Sequence, residues 1–300
     1  MTAPSLPALS TARSGAAAAR QGFDFLERRL AALASARPAL ALRAAGGLGR
    51  LRNRLSGAWP SPRQVALLFP HLDRAAAARA AWRIGGLECR NRLLVEIIRR
   101  SGLAALHPLV RTPSPLAALR PPLVLCFFHV GAMQALGAAL ERLPAPVLAF
   151  RHGLLQAGRP PLEVLSTAGN DETRSAAFHR ALAHLHRGGF VALAPDLSPG
   201  PSLAAPCLGR RLPLARGPFA LARLAAAPLL PLVARWRHGH LETLLGPPLA
   251  AAGTRALATE SALAAAAATW LERYLLAAPT ELSLGLLRNL LAADTAPPGP

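Results

Sequence analysis

The chain of 300 residues is long enough to bury a sizeable core, and a hydrophobic content of 52% with 16% charged residues excludes a disordered protein. Its formal net charge of +19 comes from 34 arginines with no lysine, and residues 1–120 alone contain 19 arginines against 5 acidic residues. Such a charge attracts nucleic acid, anionic lipid or a phosphorylated substrate. The low aromatic content of 5% and the lack of a zinc-finger, helix-turn-helix or base-stacking pattern argue against nucleic acid.

Metal binding, membrane spanning and secretion are further classes that the sequence argues against. The three cysteines lie far apart without metal-ligand spacing, and the two His-x-His pairs would point to different faces of a helix. No segment offers the roughly 20 uninterrupted apolar residues that cross a bilayer, and residues 1–19 lack the apolar core of a signal peptide. We therefore expect no metal or cofactor, and a protein that is cytoplasmic or peripheral to a membrane.

The N-terminal part of the chain predicts helices. Residues 1–20 have the composition of a disordered leader. Residues 23–35 predict a basic amphipathic helix, because its apolar residues recur at helical spacing. The members of this stripe are Phe23, Leu26, Leu30 and Leu33. The helix either packs on the main domain or lies in a membrane interface, with its arginines towards anionic headgroups.

A second helical stretch is predicted over residues 74–101, with an interruption near Gly85 and Gly86. Together with the first amphipathic helix it makes residues 21–120 a predicted basic helical lobe. Arginines near anionic lipid contribute about 1 kcal/mol each to membrane attachment, so this lobe is a candidate membrane-binding surface.

The pattern changes after Pro121 and Pro122, where apolar runs begin to alternate with helical patterns. This alternation predicts an α/β fold with a mixed, largely parallel sheet flanked by helices. The predicted strands are residues 123–128, 147–150, 190–194 and 229–235, and the predicted helices are residues 132–142, 171–187, 217–226, 254–275 and 280–292. Residues 121–293 thus form the predicted α/β core, and residues 294–300 a predicted disordered tail.

His129 directly follows the first predicted strand and precedes a predicted helix. In parallel sheets, ligands bind beyond the carboxyl ends of the strands. The backbone N–H groups that follow Gly131 could receive an oxyanion or a phosphate, and histidine is a general base near neutral pH. A lone histidine is more often structural than catalytic, so this hypothesis depends on further motifs.

Several such motifs occur in order along the chain. The stretch "FFHVGAMQALGAAL" resembles the His-x4-acid motif of the lysophospholipid acyltransferase superfamily, in the form found in bacterial lipid A biosynthesis (lauroyl/myristoyl) acyltransferases. "LFPHLD" upstream and "LAFRHG", "ALAHLHRGGFVALAPDLSPGP" and "APCLGRRLPLARGPFALARLAAAPLLPLVARW" downstream are similar to further blocks of that family. The resemblance covers residues 50 to 292, and the ordered set is more specific than any single motif.

The resemblance implies a glycerolipid acyltransferase-like fold and a specific reaction. A fatty acyl group would pass from acyl-CoA or acyl-carrier protein to a hydroxyl of a glycolipid or phospholipid acceptor, at the cytoplasmic side of the inner membrane. His129 would take the proton of that hydroxyl as it attacks the thioester, without an acyl-enzyme. We expect no counterpart of the family's membrane-spanning N-terminus, and the basic lobe would attach the protein to anionic lipid in its place.

Four further positions match family motifs that contact substrates. Arg151 would contact an acceptor phosphate, and Asp196 would have a polar role at a strand end. Gly209 and Arg210 would bind phosphate or the pantetheine arm of the donor. The alternatives from the residues alone are a solvated arginine at Arg151, a turn-forming aspartate at Asp196 and a basic surface loop at Gly209 and Arg210.

Gln134 departs from the family, which has Glu or Asp at this position. Its amide oxygen can accept a hydrogen bond from the imidazole of His129, but it brings no charge to stabilise an imidazolium. Asp196 or Glu163 could supply the acid, or the enzyme could tolerate slow turnover. The second hypothesis is therefore a non-catalytic relative that binds lipid or a partner acyltransferase. A basic nucleic-acid-binding protein is the third and least favoured.

Overall fold

A computed structural model describes most of the chain. The described residues are 22–23, 25–26, 28–34, 36–56, 60–151, 162–166, 170–196, 201–249 and 259–292. The two ends predicted to be disordered, residues 1–20 and 294–300, lie outside these ranges. Within the ranges, none of the helices combines the length and the apolar content that crossing a membrane requires.

Between residue 37 and the sheet, the described α-helices are α1 (Pro38–Ser56), α2 (Pro62–Leu68) and α3 (Arg74–Ser101). Local sequence sets their boundaries. Ser61 caps α2 in a reciprocal box with Gln64, and the Asp73 carboxylate accepts the backbone N–H of Ala76 at the start of α3. Helix α3 ends at Gly102, whose φ of 73° favours glycine.

Helix α3 is continuous, so the predicted interruption at Gly85 and Gly86 is wrong. These glycines instead allow α1 and α3 to pack with their backbones close together. A Cβ atom on Gly49 would lie 2.4 Å from the carbonyl oxygen of Gly85, and one on Gly86 would lie 2.6 Å from that of Gly46. The residues that suggested a helix break are therefore required at a helix–helix contact.

The described residues between 22 and 36 are helical, in agreement with the predicted amphipathic helix. The face that is buried differs from the predicted stripe. Ala31 and Ala34 are buried, whereas Phe25, Leu26 and Leu33 are exposed. Small residues thus pack against the protein, and larger apolar side chains of this helix remain on its surface.

A six-stranded sheet follows, in the order β3-β2-β4-β1-β7-β8, and confirms the mixed, mostly parallel α/β prediction. Its strands are β1 (Leu123–Gly131), β2 (Val147–Arg151), β3 (Leu162–Ser166), β4 (Phe190–Leu193), β7 (Leu229–Arg237) and β8 (His240–Leu245). Only β8 runs antiparallel to its neighbour. A separate antiparallel hairpin consists of β5 (Ser202–Cys207) and β6 (Arg210–Ala215).

Helices cover both faces of the sheet. They are α4 (Leu136–Leu140), α5 (Asp171–His186), α6 (Gly217–Leu224), α7 (Glu260–Ala277) and α8 (Leu284–Ala292), with short 3-10 turns between them. Alternate residues of β1 enter two separate cores: Val124 and Cys126 face α5 to α8, and Leu123 and Leu125 face α1, α4 and the second half of α3.

One predicted helix differs from the observed structure, and four observed strands were not predicted. The predicted helix 132–142 is a 3-10 turn (Met133–Ala135) followed by the short α4, because Ala132 and Ala135 have no side chain that can cap a helix start. Strands β3, β5, β6 and β8 were not predicted. Pro206 and Pro213 lie inside β5 and β6, and a proline inside an apolar run argues against a strand unless it lies at an edge.

The contact between α1 and α3 gives a paired stability prediction. Gly49→Ala is expected to destabilise the protein by about 1–3 kcal/mol, because its Cβ would lie 2.4 Å from the Gly85 oxygen. Gly47→Ala, two positions away with nothing within 4 Å of its Cβ, should instead stabilise by about 0.5–1 kcal/mol through helix propensity. Urea unfolding measures both, and equal effects would contradict the close packing.

Candidate active site

His129 and Asp196 are brought together by the register of two parallel strands. Strand β1 pairs with β4 so that Cys126 lies opposite Leu193. His129 lies three positions after Cys126, and Asp196 lies three positions after Leu193. Both residues are therefore at the carboxyl edge of the sheet. This is the edge at which ligands bind in parallel α/β sheets.

An irregularity in the pairing of β1 with β7 occurs around His129. Between Phe127 and Gly131 the pairing of β1 with β7 advances by four residues on β1 but by only two on β7. The backbone N–H of His129 donates to Oδ2 of Asp196 at 2.7 Å. Bulges of this kind re-aim side chains next to functional sites.

The imidazole and the carboxylate form a close pair. Nδ1 of His129 lies 2.7 Å from Oδ1 of Asp196, so each carboxylate oxygen accepts one hydrogen bond from the same residue. The side chain of Asp196 is 0% exposed and that of His129 is 21% exposed. The acid is therefore shielded from water, while the ring reaches the surface.

This arrangement fixes which ring nitrogen can act as a base. An ionised carboxylate only accepts hydrogen bonds, so Nδ1 of neutral His129 must hold its proton and donate it to Asp196. The lone pair is then on Nε2, which has no hydrogen-bond partner within the described part of the chain. The ring can take a proton at Nε2, and the Asp196 carboxylate stabilises the imidazolium that results.

Two asparagines hold the backbone around the pair. Asn289 on α8 donates to the carbonyl oxygen of Asp196 at 2.6 Å, and Asn91 on α3 donates to that of Gly131 at 3.0 Å. Neither residue was predicted to have a functional role. One sequence feature could have indicated Asn289. It is a polar residue among the leucines of α8 that are buried, Leu286, Leu287 and Leu290.

Gly131 ends β1 with a φ of 59°, in the left-handed region that favours glycine. A Cβ here would lie 2.3 Å from the Ala234 carbonyl oxygen and 2.8 Å from Oε2 of Glu281. The Ala132 N–H already donates to Ala234 at 2.7 Å. Gly131 therefore serves a close approach to β7. Substrate binding at Gly131, through an oxyanion or phosphate received by the N–H groups that follow it, stays a prediction.

Glu281 is a buried acid that the sequence did not single out. Burial raises the pKa of its carboxyl to about 7, although Arg90 and Arg235 lower it. Its Oε2 and the hydroxyl of Tyr274 are buried without a hydrogen-bond partner within the described residues. The uncharged form of this carboxyl is thus substantially populated at neutral pH, directly behind the end of β1.

Gln134 and Arg151 lie near the same edge of the sheet. Gln134 is half-buried in the 3-10 turn after β1, and no hydrogen bond joins it to His129 among the described residues. Glu163, the other acid considered, pairs with Arg180. Arg151 ends β2 beside β4 and β3, so its backbone lies at the carboxyl edge. Its predicted phosphate contact falls on a side chain outside the described part.

Gly209 and Arg210 lie in a different unit of the fold. Gly209 forms the turn of the β5–β6 hairpin with a φ of 69°, and Arg210 begins β6 opposite Cys207. The hairpin is joined to the core through the Leu208 N–H, which donates to Glu272 on α7 at 2.8 Å. Their predicted donor-binding role stays a prediction.

The chemistry available at this edge is base catalysis by a histidine that a buried carboxylate orients. Within the described ranges, no three His, Cys, Asp or Glu side chains are close enough together to hold a metal ion. Burial, and then the Asp196 charge, raise the pKa of Cys126 well above its usual value, so this thiol is a poor nucleophile. No family model and no curated protein matches the chain.

Glu281 gives a pH-dependent stability prediction. Its pKa is about 7 in the folded chain and near the ordinary 4.5 in the unfolded chain, so the folded state retains a proton that the unfolded state loses within this window. The contribution of Glu281 to the free energy of unfolding is therefore largest below pH 4.5. This contribution falls by up to about 3 kcal/mol as the pH rises to 7.

Glu281→Gln removes this titration. The free energy of unfolding of the variant, relative to wild type, is expected to rise between pH 4.5 and pH 8, as urea unfolding at several pH values would measure. Glu172→Gln, at an exposed acid of α5, is the control. If the two variants had the same pH dependence, Glu281 would not titrate near neutrality.

Proposed function

We propose that the protein is an O-acyltransferase that moves a fatty acyl group from acyl-CoA or acyl-carrier protein to a hydroxyl of a glycolipid or phospholipid acceptor. The observation that carries this proposal is the contact of 2.7 Å between His129 Nδ1 and the buried Asp196 carboxylate, with Nε2 of the same ring available. The ordered sequence motifs around His129 support the choice of substrate class.

The proposed reaction uses His129 first as a base and then as an acid. Nε2 takes the proton from the acceptor hydroxyl while its oxygen attacks the thioester carbonyl carbon, which forms the C–O bond. Asp196 stabilises the imidazolium through Nδ1. When the tetrahedral intermediate collapses, the C–S bond breaks and the imidazolium returns the proton to the departing thiolate. The acyl group therefore passes directly to the acceptor.

The buried Asp196 carboxylate is also relevant to the second hypothesis, that the protein is a non-catalytic relative of the acyltransferases. That hypothesis arose because Gln134 brings no charge to the imidazole. In the proposed mechanism, Asp196 supplies this charge from the end of the neighbouring parallel strand β4, and Gln134 need not act on the ring. The contact therefore favours the enzyme over a lipid- or partner-binding relative.

Three substitutions test this assignment in acyl transfer from a thioester to total membrane lipid. His129→Ala should lower turnover by about 10²–10⁴-fold, the usual contribution of a general base. Asp196→Asn should lower it by up to about 10⁴-fold, because an amide can no longer stabilise the imidazolium. Gln134→Ala should change turnover by less than tenfold. Release of free thiol measures each rate.

The outcomes separate the two hypotheses. A large loss for Gln134→Ala together with a small loss for Asp196→Asn would reverse the roles assigned to these residues. If wild type released no thiol from acyl-CoA or acyl-carrier protein, while His129→Ala retained wild-type lipid binding, the non-catalytic relative would replace the enzyme.

We also propose that the protein acts at the cytoplasmic side of the inner membrane, attached peripherally through its basic N-terminal helices. Helix α1 supports this, because its outer face is apolar. Leu40, Leu51 and Leu55 are 49%, 49% and 69% exposed and recur at helical spacing. Arg43 and Arg54 are exposed beside them. Leucines entering the acyl boundary with arginines at anionic headgroups are typical of interfacial helices.

A matched pair of double variants tests this face. Leu51→Ser with Leu55→Ser should lower binding to anionic vesicles at least tenfold, because two apolar side chains no longer enter the bilayer interface. Leu224→Ser with Leu276→Ser removes two comparably exposed leucines from α6 and α7 and should leave binding unchanged. Co-sedimentation with vesicles measures both, and equal binding of the two variants would exclude α1 as the attachment face.

A further inference from the structure

A small basic pocket lies between α1, α3 and the 3-10 turn Pro279–Glu281, and His129 does not line it. Its volume is about 170 Å³. Arg50 of α1 and Arg83 and Arg90 of α3 line it, with Glu281 as the one acid. Three arginine side chains and a single carboxyl group thus line the pocket.

Two of these arginines are held in place through Nε. Arg50 Nε donates to the Gly46 carbonyl oxygen and Arg90 Nε donates to that of Leu42, each at 3.2 Å. Both acceptors belong to α1. The terminal nitrogens of Arg50, Arg83 and Arg90 have no hydrogen-bond partner within the described ranges. The fold therefore orients the guanidinium groups of Arg50 and Arg90 without using their outer donors.

Glycines provide the space for this arrangement. A Cβ on Gly46 would lie 2.4 Å from Nε of Arg90, and one on Gly86 would lie 2.9 Å from Cγ of Arg50. Any larger residue at these positions would displace an arginine. The glycines that allow α1 and α3 to approach thus also shape the pocket.

The charges in the pocket are unbalanced. Burial and the nearby Arg50 lower the pKa of Arg90, which reflects an unfavourable, partly buried cluster of like charges. Glu281 compensates for this only in part, because its own pKa is raised to about 7. An anion would relieve the repulsion, and a neutral Glu281 could donate a hydrogen bond to it.

We propose that this pocket binds a phosphate group. Guanidinium forks bind the oxygens of phosphate with two parallel hydrogen bonds, and three of them suit a dianionic phosphate monoester. The volume of about 170 Å³ accommodates a phosphate group and is below the roughly 300 Å³ of sites that enclose whole drug-sized ligands. The phosphate group belongs either to a soluble molecule or to a lipid headgroup.

Phosphate binding can be tested separately from acyl transfer, because neither His129 nor Asp196 lines the pocket. The first test is calorimetric titration with inorganic phosphate at matched ionic strength. Arg50→Gln with Arg83→Gln should raise the Kd at least tenfold. Both residues are exposed, so the fold should tolerate the change. Arg74→Gln with Arg79→Gln removes the same charge from exposed positions of α3 outside the pocket and should bind as wild type does.

The second test distinguishes the two sources of phosphate. Vesicles containing phosphatidic acid present a phosphate monoester, whereas phosphatidylglycerol vesicles present a diester. If Arg83→Gln abolishes a preference for phosphatidic acid that Arg79→Gln retains, the pocket takes a lipid headgroup. If only inorganic phosphate binding is lost, it takes a soluble phosphate. Wild-type protein without selective binding in either test, or equal behaviour of pocket and control variants in both, would overturn the proposal.

Discussion

The buried carboxylate of Asp196 is the group around which the carboxyl edge of the sheet is organised. A carboxylate that is completely removed from water needs donors on both oxygens, and His129 supplies both of them through its backbone N–H and its ring. The Asn289 amide holds the backbone of Asp196 in addition, by donating to its carbonyl oxygen. The same contact leaves the imidazole oriented with one nitrogen towards the surface.

The N-terminal helices use their arginines and glycines together. Glycines at the crossing of α1 and α3 bring the two backbones close, and this leaves Arg50, Arg83 and Arg90 around one small pocket. The opposite face of α1 carries exposed leucines. Helix α1 thus has an apolar outer surface and also forms one wall of a basic pocket. Exposed leucines and clustered arginines therefore occur in the same part of the fold.

Secondary structure was predictable where periodicity is strong. The alternation of apolar runs and helical patterns after Pro122 predicted the parallel strands β1, β2, β4 and β7, because buried parallel strands are continuous apolar runs. The β5–β6 hairpin was missed because prolines interrupt its strands. Gly85 and Gly86 suggested a break, since local propensity does not reveal that a neighbouring helix needs the space.

The sequence alone determined the α/β class, the basic N-terminal half, and the position of His129 near a strand end. It also marked Asp196 as polar at the end of another strand, but it could not join the two. Pairing of β1 with β4 connects residues 67 positions apart, and only the register of the folded sheet decides which acid meets the ring. Gln134 is close to His129 in sequence, yet tertiary hydrogen bonding selects Asp196, because only its buried carboxylate needs both of the donors that His129 offers.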